Sequence, residues 1–218
     1  NEQIKTSTHR IKKQKPYIEL IKIGFKRIFK TLKEIKKHKK IVWFLIGFYL
    51  LNDVLVTLFA FLPIYARTTL DLTFMEISIL LLILQLIAIP ATIILSTLSD
   101  KKGWTKKILL TTIVLLIVVL IGISQVTTKT GFYAVTLIAS LIVGSSQAIA
   151  RSWFSKIIPK NKTSEFFGFN GFSSKIAATS GPLIFGTISV ITSSQRLAML
   201  SMLPFFIISF IIFYRIDE

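Results

Sequence analysis

Two charged residues lie inside long apolar stretches of the sequence, where a charged side chain can bind a solute or carry a proton. Asp53 lies 13 residues beyond Lys40, about 20 Å along a helix, and Lys175 lies 11 residues beyond Ser164, about 16 Å. Both are therefore expected near the middle of a ~30 Å hydrocarbon layer. A charge at that depth costs at least about 2.5–3.5 kcal/mol, so each residue requires a reason to be there.

Two interpretations of this pair stay open. One is a site at the membrane midplane for a polar or zwitterionic solute, with Asp53 also carrying a proton; the other is a structural ion pair that locks two helices. The stretches that contain the two residues run in the same direction, so both residues could face a shared water-filled cavity. Polar neighbours favour the site, and the candidate substrate and proton pathway comprises Asp53, Lys175, Asn52, Gln85, Gln147 and Asn170.

Six apolar stretches must position these residues. They lie at about 41–66, 74–98, 108–126, 131–154, 165–191 and 196–214, each close to the ~20 residues that a membrane-spanning helix needs. Hydrophobic residues make up 52% of the chain and charged residues only 17%. A core helix of a soluble protein is seldom apolar on every face for this length, which disfavours a buried bundle. The sequence therefore predicts an all-α, polytopic membrane protein with six transmembrane helices.

The basic residues are segregated between alternate breaks. Of the 27 Lys and Arg, 23 lie in residues 1–40, in the breaks at 99–107 and 151–164, and at the C-terminal end. The other breaks hold one each, Arg67, Lys129 and Arg196. Because Lys and Arg are retained on the cytoplasmic side, we expect six crossings with both termini in the cytoplasm. The net charge of +17 then reflects topology and not a nucleic-acid surface.

Residues 1–40 form a separate basic unit before the transmembrane domain of residues 41–218. From Ile18 onward, apolar residues recur at spacings of three and four, and lysines fill the other face. This pattern predicts a basic amphipathic helix lying on the anionic inner leaflet, with packing against a partner helix as the alternative. Nucleic acid is not an expected partner, because no aromatic platform accompanies the charge.

Several classes of function are disfavoured by composition. The chain has no cysteine and only two histidines, both in the Lys-rich segment, so we expect no disulfide framework, metal site or cofactor. No nucleophile with a base, phosphate-binding loop or water-exposed carboxylate pair is recognisable, so an enzyme is not expected. The N-terminus shows no signal peptide, and because it begins with Asn we expect the chain to be part of a longer or processed protein.

The break after the second stretch carries a recognisable loop. It reads Ser-Asp-Lys-Lys-Gly from Ser99 to Gly103 and resembles the loop of the major facilitator superfamily between the second and third helices of a six-helix half. The resemblance implies that Asp100 caps a neighbouring helix and that basic residues pair across the cytoplasmic face, closing one end of an alternating-access cycle. Two departures are Ser96 where Gly is usual, and a basic pair displaced to Lys106 and Lys107.

Residues mainly in the second half of the sequence narrow the resemblance from the superfamily to one of its branches. The vacuole-effluxer-like branch, whose fungal members export amino acids from the vacuole, is resembled by Asn52-Asp53, Arg151 to Pro159, Glu165 to Phe169, Ser174-Lys175, Gly181 to Gly186 and Ser194 to Arg196. The resemblance covers about 41–218 and implies the C-terminal six-helix half of a facilitator. Its carried-over candidates are Asp53, Arg151, Glu165, Lys175 and Arg196. The expected cytoplasmic gate loop comprises Asp100, Lys101, Gly103, Arg151 and Glu165.

We therefore expect a secondary transporter that moves a small polar solute, with amino acids as the leading class by resemblance. The missing partner is an N-terminal six-helix half or a second copy of the chain. The alternative is a non-transporting membrane scaffold that recruits partners through its basic helix. The membrane is the cell membrane if the source is bacterial and the vacuolar membrane if it is fungal.

Overall fold

The computed structural model describes residues 31–177 and 179–217. Eight α-helices follow one another in this part of the chain, and no strand occurs in it. They are α1 Lys39–Leu70, α2 Phe74–Lys102, α3 Thr105–Gln125, α4 Lys129–Ile157, α5 Thr163–Ala177, α6 Ser180–Thr192, α7 Gln195–Leu200 and α8 Leu203–Arg215. A short helical segment over residues 31–35 precedes α1. The amphipathic helix expected from Ile18 otherwise lies outside the described residues.

Six spans in the described residues are long and apolar enough to cross a membrane. α1 to α4 are one span each, α5 with α6 forms the fifth, and α7 with α8 forms the sixth. Each of the six predicted stretches falls inside one of these spans or within a residue of its ends. The prediction of an all-α, six-span fold is therefore confirmed.

The fifth and sixth spans are broken helices. α5 ends at Ala177 and α6 begins at Ser180, two residues before Pro182. α7 ends at Leu200 and α8 begins at Leu203, with Pro204 in its first turn. A proline cannot donate the backbone bond to the carbonyl four residues earlier, and its ring collides with that carbonyl. Each interruption therefore falls just before a proline.

α1 is the central helix of the bundle. It packs against α4, α5, α6 and α8, whereas α2 packs mainly against α4 and α3 packs against α4 and α8. Four aromatic rings lock the first half of α1 into place. Phe44 lies 5.4 Å from Trp153, 5.3 Å from Phe154 and 5.2 Å from Phe213, measured between ring centroids. Large apolar rings at one point fix the depth and rotation of α1, which carries Asp53.

α2 buries only one face. Ile77, Leu80 and Leu84 are buried, one helical turn apart, while the other faces expose large apolar side chains. The most exposed of these are Phe74, Met75, Leu82, Leu86, Ile93 and Ile94. In a membrane protein such a surface faces lipid or another transmembrane element.

Each of the three breaks that hold a single basic residue has that residue in contact with a neighbouring group. Lys129 Nζ pairs with Glu76 Oε1 at 2.9 Å, Arg196 donates to the backbone carbonyl of Val126 at 3.1 Å, and Arg67 lies over an aromatic ring. The Lys129 pair joins α2 to α4, the Arg196 bond joins α3 to α7, and Arg67 joins the end of α1 to Phe74 at the start of α2. They lie at one end of the bundle, as alternating crossings require.

Candidate functional site

Asp53 is the fully buried carboxylate in the middle of α1, with an exposed fraction of 0%. Its Oδ1 accepts a hydrogen bond from the backbone N–H of Gly181 at 2.9 Å, and its Oδ2 accepts one from Ser180 Oγ at 2.8 Å. Both donors belong to the first residues of α6, where backbone N–H groups have no partner within the helix. A carboxylate is favoured there by the partial positive charge of the helix start. Asp53 therefore ties the central helix to the break in the fifth span.

The contact requires a glycine at position 181. A Cβ atom built there would collide with Thr57 Oγ1 and would lie 2.8 Å from Asp53 Oδ1. Thr57 is itself buried and donates to the backbone carbonyl of Asp53 at 2.7 Å, which holds its hydroxyl against α6. Further along, the rings of Phe61 and Phe185 stack at 4.1 Å. The close approach of α1 and α6 is thus built from a glycine, a hydroxyl and two rings.

A third side chain extends this arrangement. The hydroxyl groups of Tyr49 and Ser180 lie 2.7 Å apart and share a hydrogen bond. Tyr49 precedes Asp53 by one helical turn, so both side chains emerge on the same face of α1. Tyr49, Ser180 and Asp53 form a continuous polar chain between α1 and the start of α6. We call Tyr49, Asp53, Ser180 and Gly181 the latch.

Lys175 does not join the latch. It lies near the end of α5 with an exposed side chain, and among the described residues no hydrogen bond or ion pair links it to Asp53. The carboxylate that the sequence paired with Lys175 is held by Ser180 and Gly181 instead. Lys175 lies on α5, before the break in the fifth span, whereas the residues that bond Asp53 lie on α6, after the break. A similar position along the two spans therefore did not bring Lys175 into contact with Asp53.

The other residues expected in the pathway do not form one continuous site in the structure. Asn52 is buried, and its Oδ1 accepts from Gln147 Nε2 at 3.4 Å, a long contact between α1 and α4. Asn170 is buried on α5. Gln85 lies apart from these residues, on the wall of a cavity of about 150 Å³ enclosed by α1 to α4. Because that cavity is lined almost entirely by apolar side chains, Gln85 does not extend the polar chain. The assignment of these residues to a pathway stays a prediction.

The expected gate loop contains an ion pair that the sequence did not identify. Asp100 Oδ1 accepts from Ser152 Oγ at 2.7 Å and from Lys156 Nζ at 2.9 Å, and Lys156 also donates to Thr105 Oγ1 at 2.9 Å. The partners of Asp100 are thus side chains on the last turns of α4, not the start of a helix. Ser152 and Lys156 are one turn apart, and that spacing was the available signal.

The remaining gate residues have simpler roles. Gly103 ends α2 in the left-handed conformation, with φ of 66°, which a residue with a Cβ adopts at a cost. Lys101, Arg151 and Glu165 are exposed, and no hydrogen bond or ion pair between Arg151 and Glu165 occurs among the described residues. The gate function of these residues remains a prediction.

The family model described as "Vacuole effluxer Atg22 like" matches residues 4–218. The chain belongs to this family. It is 28% identical over 206 residues to the uncharacterized MFS-type transporter YxiO of Bacillus subtilis (strain 168), covering 94% of this chain and 47% of that protein. It is 24% identical over 207 residues to autophagy-related protein 22 of Kluyveromyces lactis, covering 89% of this chain and 42% of that protein.

The family membership confirms the resemblance deduced from the gate loop and the last two spans. The chain spans about half the length of the curated relatives it matches. No solved structure matches it. The family is described as an effluxer family and the Bacillus subtilis relative as a transporter, which agrees with the expectation of a transporter rather than an enzyme.

Proposed function

We propose that the chain is the C-terminal six-helix half of a secondary transporter that moves a small polar solute by alternating access, and that amino acids are the substrate class. The family membership and the six spans support this proposal, as does a length about half that of the curated relatives. The transport pathway is completed by an N-terminal half or by a second copy of the chain. The exposed apolar face of α2 offers a surface for either.

One observation carries the proposal: a fully buried carboxylate at mid-span holds the start of a broken helix in another span. Ionised Asp53 accepts two hydrogen bonds from α6. A proton on Oδ2 makes that oxygen a donor to Ser180 Oγ while Oδ1 still accepts from Gly181, but both hydrogen bonds lose the negative charge that strengthens them. Protonation therefore weakens the latch and frees the start of α6 to move. In this scheme the proton is coupled to movement of the fifth span.

The test is transport by the complete natural polypeptide in proteoliposomes, with labelled amino acids and an imposed pH gradient. Asp53→Asn preserves the shape of the latch, because the amide oxygen accepts from Gly181 and the amide nitrogen donates to Ser180 Oγ. We expect this variant to insert normally and to lose the dependence of transport on pH. The matched control is Asp71→Asn, because Asp71 is an exposed acid just beyond the C-terminal end of α1. An unchanged pH dependence in Asp53→Asn would exclude the proton role.

The topology is part of the same proposal. We infer that residues 1–40 and the C-terminal end lie in the cytoplasm, because 23 of the 27 basic residues fall on that side. The chain has no cysteine, so single cysteines report on exposure cleanly. In sealed cells, an impermeant maleimide should label Thr127→Cys and leave Lys101→Cys unlabelled. The reverse result would invert the topology.

A membrane scaffold is the second candidate, favoured by the fact that both oxygens of Asp53 already have protein partners. In a scaffold the latch is dry and permanent. Cysteines introduced at Asn52 and Ser174 separate the two functions in the complete polypeptide. A transporter should expose at least one of them to water-soluble thiol reagents during its cycle, and a scaffold should protect both.

A further inference from the structure

A second cavity lies at the opposite side of α1 from the apolar cavity that contains Gln85. It is an open cleft of about 450 Å³ between the segment over residues 31–35, the first half of α1, and α5. Leu32, Val42, Ile46 and Phe169 contribute to its walls, which are almost entirely apolar. Val42 and Ile46 are one helical turn apart, so the cleft follows the axis of α1 into the bundle.

Lysines predominate among the charged side chains around this cleft. Lys36 lines the cleft itself, and Lys33, Lys39 and Lys40 are exposed in the surrounding segment. Glu34, the one acid on residues 31–40, is held by Lys162 Nζ at 2.8 Å and by Lys37, and these bonds lower the pKa of its carboxyl to about 2. The lysines around the cleft therefore face no further acid on residues 31–40.

The position of the cleft matches the surface of a membrane. It opens at the start of the first span, and Trp43 on the same turn of α1 is 54% exposed. Tryptophan is enriched at the level of lipid headgroups. A cleft that is basic at its mouth and apolar along its length, at this level, matches a molecule with an anionic head and a hydrocarbon tail.

We propose that this cleft binds one anionic phospholipid, with an acyl chain between α1 and α5 and the phosphate at Lys36. The inference is independent of the transport proposal and depends only on these residues lying at a membrane surface. Tyr49 lies at the inner part of the same cleft and bonds Ser180 of the latch. An acyl chain in the cleft therefore packs against the residue that connects to Asp53.

The experiment uses the complete natural polypeptide in nanodiscs of equal phosphatidylcholine and phosphatidylglycerol. Native mass spectrometry after release counts the lipids that remain bound. We expect one phosphatidylglycerol to be retained in preference to phosphatidylcholine. Lys36→Gln should reduce that preference about fivefold, the contribution of one lysine near an anionic surface. The matched control is Lys107→Gln, an exposed lysine at the start of α3 that lies outside the cleft, and it should leave the preference unchanged.

A second variant tests the hydrocarbon part. Ile46→Trp fills the cleft from a side chain that is 40% exposed, so the fold should tolerate it, and the retained lipid should be lost. Ile138→Trp, at an exposed apolar position on α4, is its control and should retain the lipid. Equal retention in Ile46→Trp and Ile138→Trp would overturn the proposal. So would equal retention of the two lipids, or displacement of the lipid by inorganic phosphate alone, which would indicate an anion site without an acyl chain.

Discussion

Gly181→Ala is the substitution that tests the latch most directly. The new methyl group would collide with Thr57 Oγ1 and lie 2.8 Å from Asp53 Oδ1 and 3.1 Å from Asp53 Cγ. These atoms belong to two buried side chains on α1, so α6 must move away to accommodate the methyl group. Overpacking of this kind costs about 1–3 kcal/mol, and a lost hydrogen bond to a charged group costs about 1.5–3 kcal/mol. Since the two costs overlap, we expect a total of about 2–4 kcal/mol.

The assay compares two alanine substitutions in the same helix. Gly186 also lies in α6, and a Cβ there would have no atom within 4 Å. Gly186→Ala should therefore stabilise the protein by about 0.5–1 kcal/mol, because alanine loses less backbone freedom than glycine on folding. Denaturation of the purified protein in detergent, followed by circular dichroism, should give opposite signs for the two variants.

A double-mutant cycle then assigns the cost to the contact. Thr57→Ala removes the hydroxyl that meets the new methyl group, so Gly181→Ala should cost less in the Thr57→Ala background. For residues in contact, the coupling should reach at least about 0.5 kcal/mol. The reasoning is refuted if Gly181→Ala and Gly186→Ala change stability equally, because the close approach of α1 and α6 would then not exist.

Three further predictions follow from single contacts. Ser180→Ala removes the donor to Asp53 Oδ2 and should destabilise the protein by about 1–3 kcal/mol, measured by thermal denaturation; an unchanged melting temperature would exclude the bond. Gly103→Ala should cost about 1–2 kcal/mol from its left-handed backbone alone, since no atom lies near its Cβ, and Gly103→Asn should cost less. Glu34 has a pKa lowered from 4.5 to about 2 by Lys162, so its ion pair is complete above pH 4.5 and is lost as the pH falls through about 2. Carboxyl NMR titration should show this, and Lys162→Gln should return the pKa toward its usual value.

The sequence predicted the six spans because hydrophobicity and length are properties of each segment alone. A run of apolar residues long enough to cross the hydrocarbon layer must form a helix there, whatever its neighbours are. The breaks in the last two spans were not predicted, although Pro182 and Pro204 were visible. Pro63 and Pro90 lie inside continuous helices in the same structure, so a proline alone does not decide whether a span is interrupted.

The gate loop also separates what one segment determines from what the packing of helices determines. The sequence singled out Asp100 through the resemblance of its loop to the major facilitator loop, which implied a role for its charge. It did not identify Lys156, which lies 56 residues later and reaches Asp100 only because α2 packs against α4. The packing of α2 against α4 therefore determines which residue pairs with Asp100, whereas the composition of the loop determines only the charge of the loop.

The sequence by itself determined that Asp53 lies in the middle of an apolar span, because the length of the span fixes the position of each residue along it. Its partner was decided by the tertiary structure. Depth along a span favoured Lys175, but the donors are Ser180 and Gly181, which lie 127 and 128 residues away. A buried carboxylate must find hydrogen-bond donors, and here one backbone N–H and one hydroxyl at a helix start supply them only because the neighbouring span breaks at the same depth. That coincidence of depth, break and rotation of two helices exists only in the folded chain.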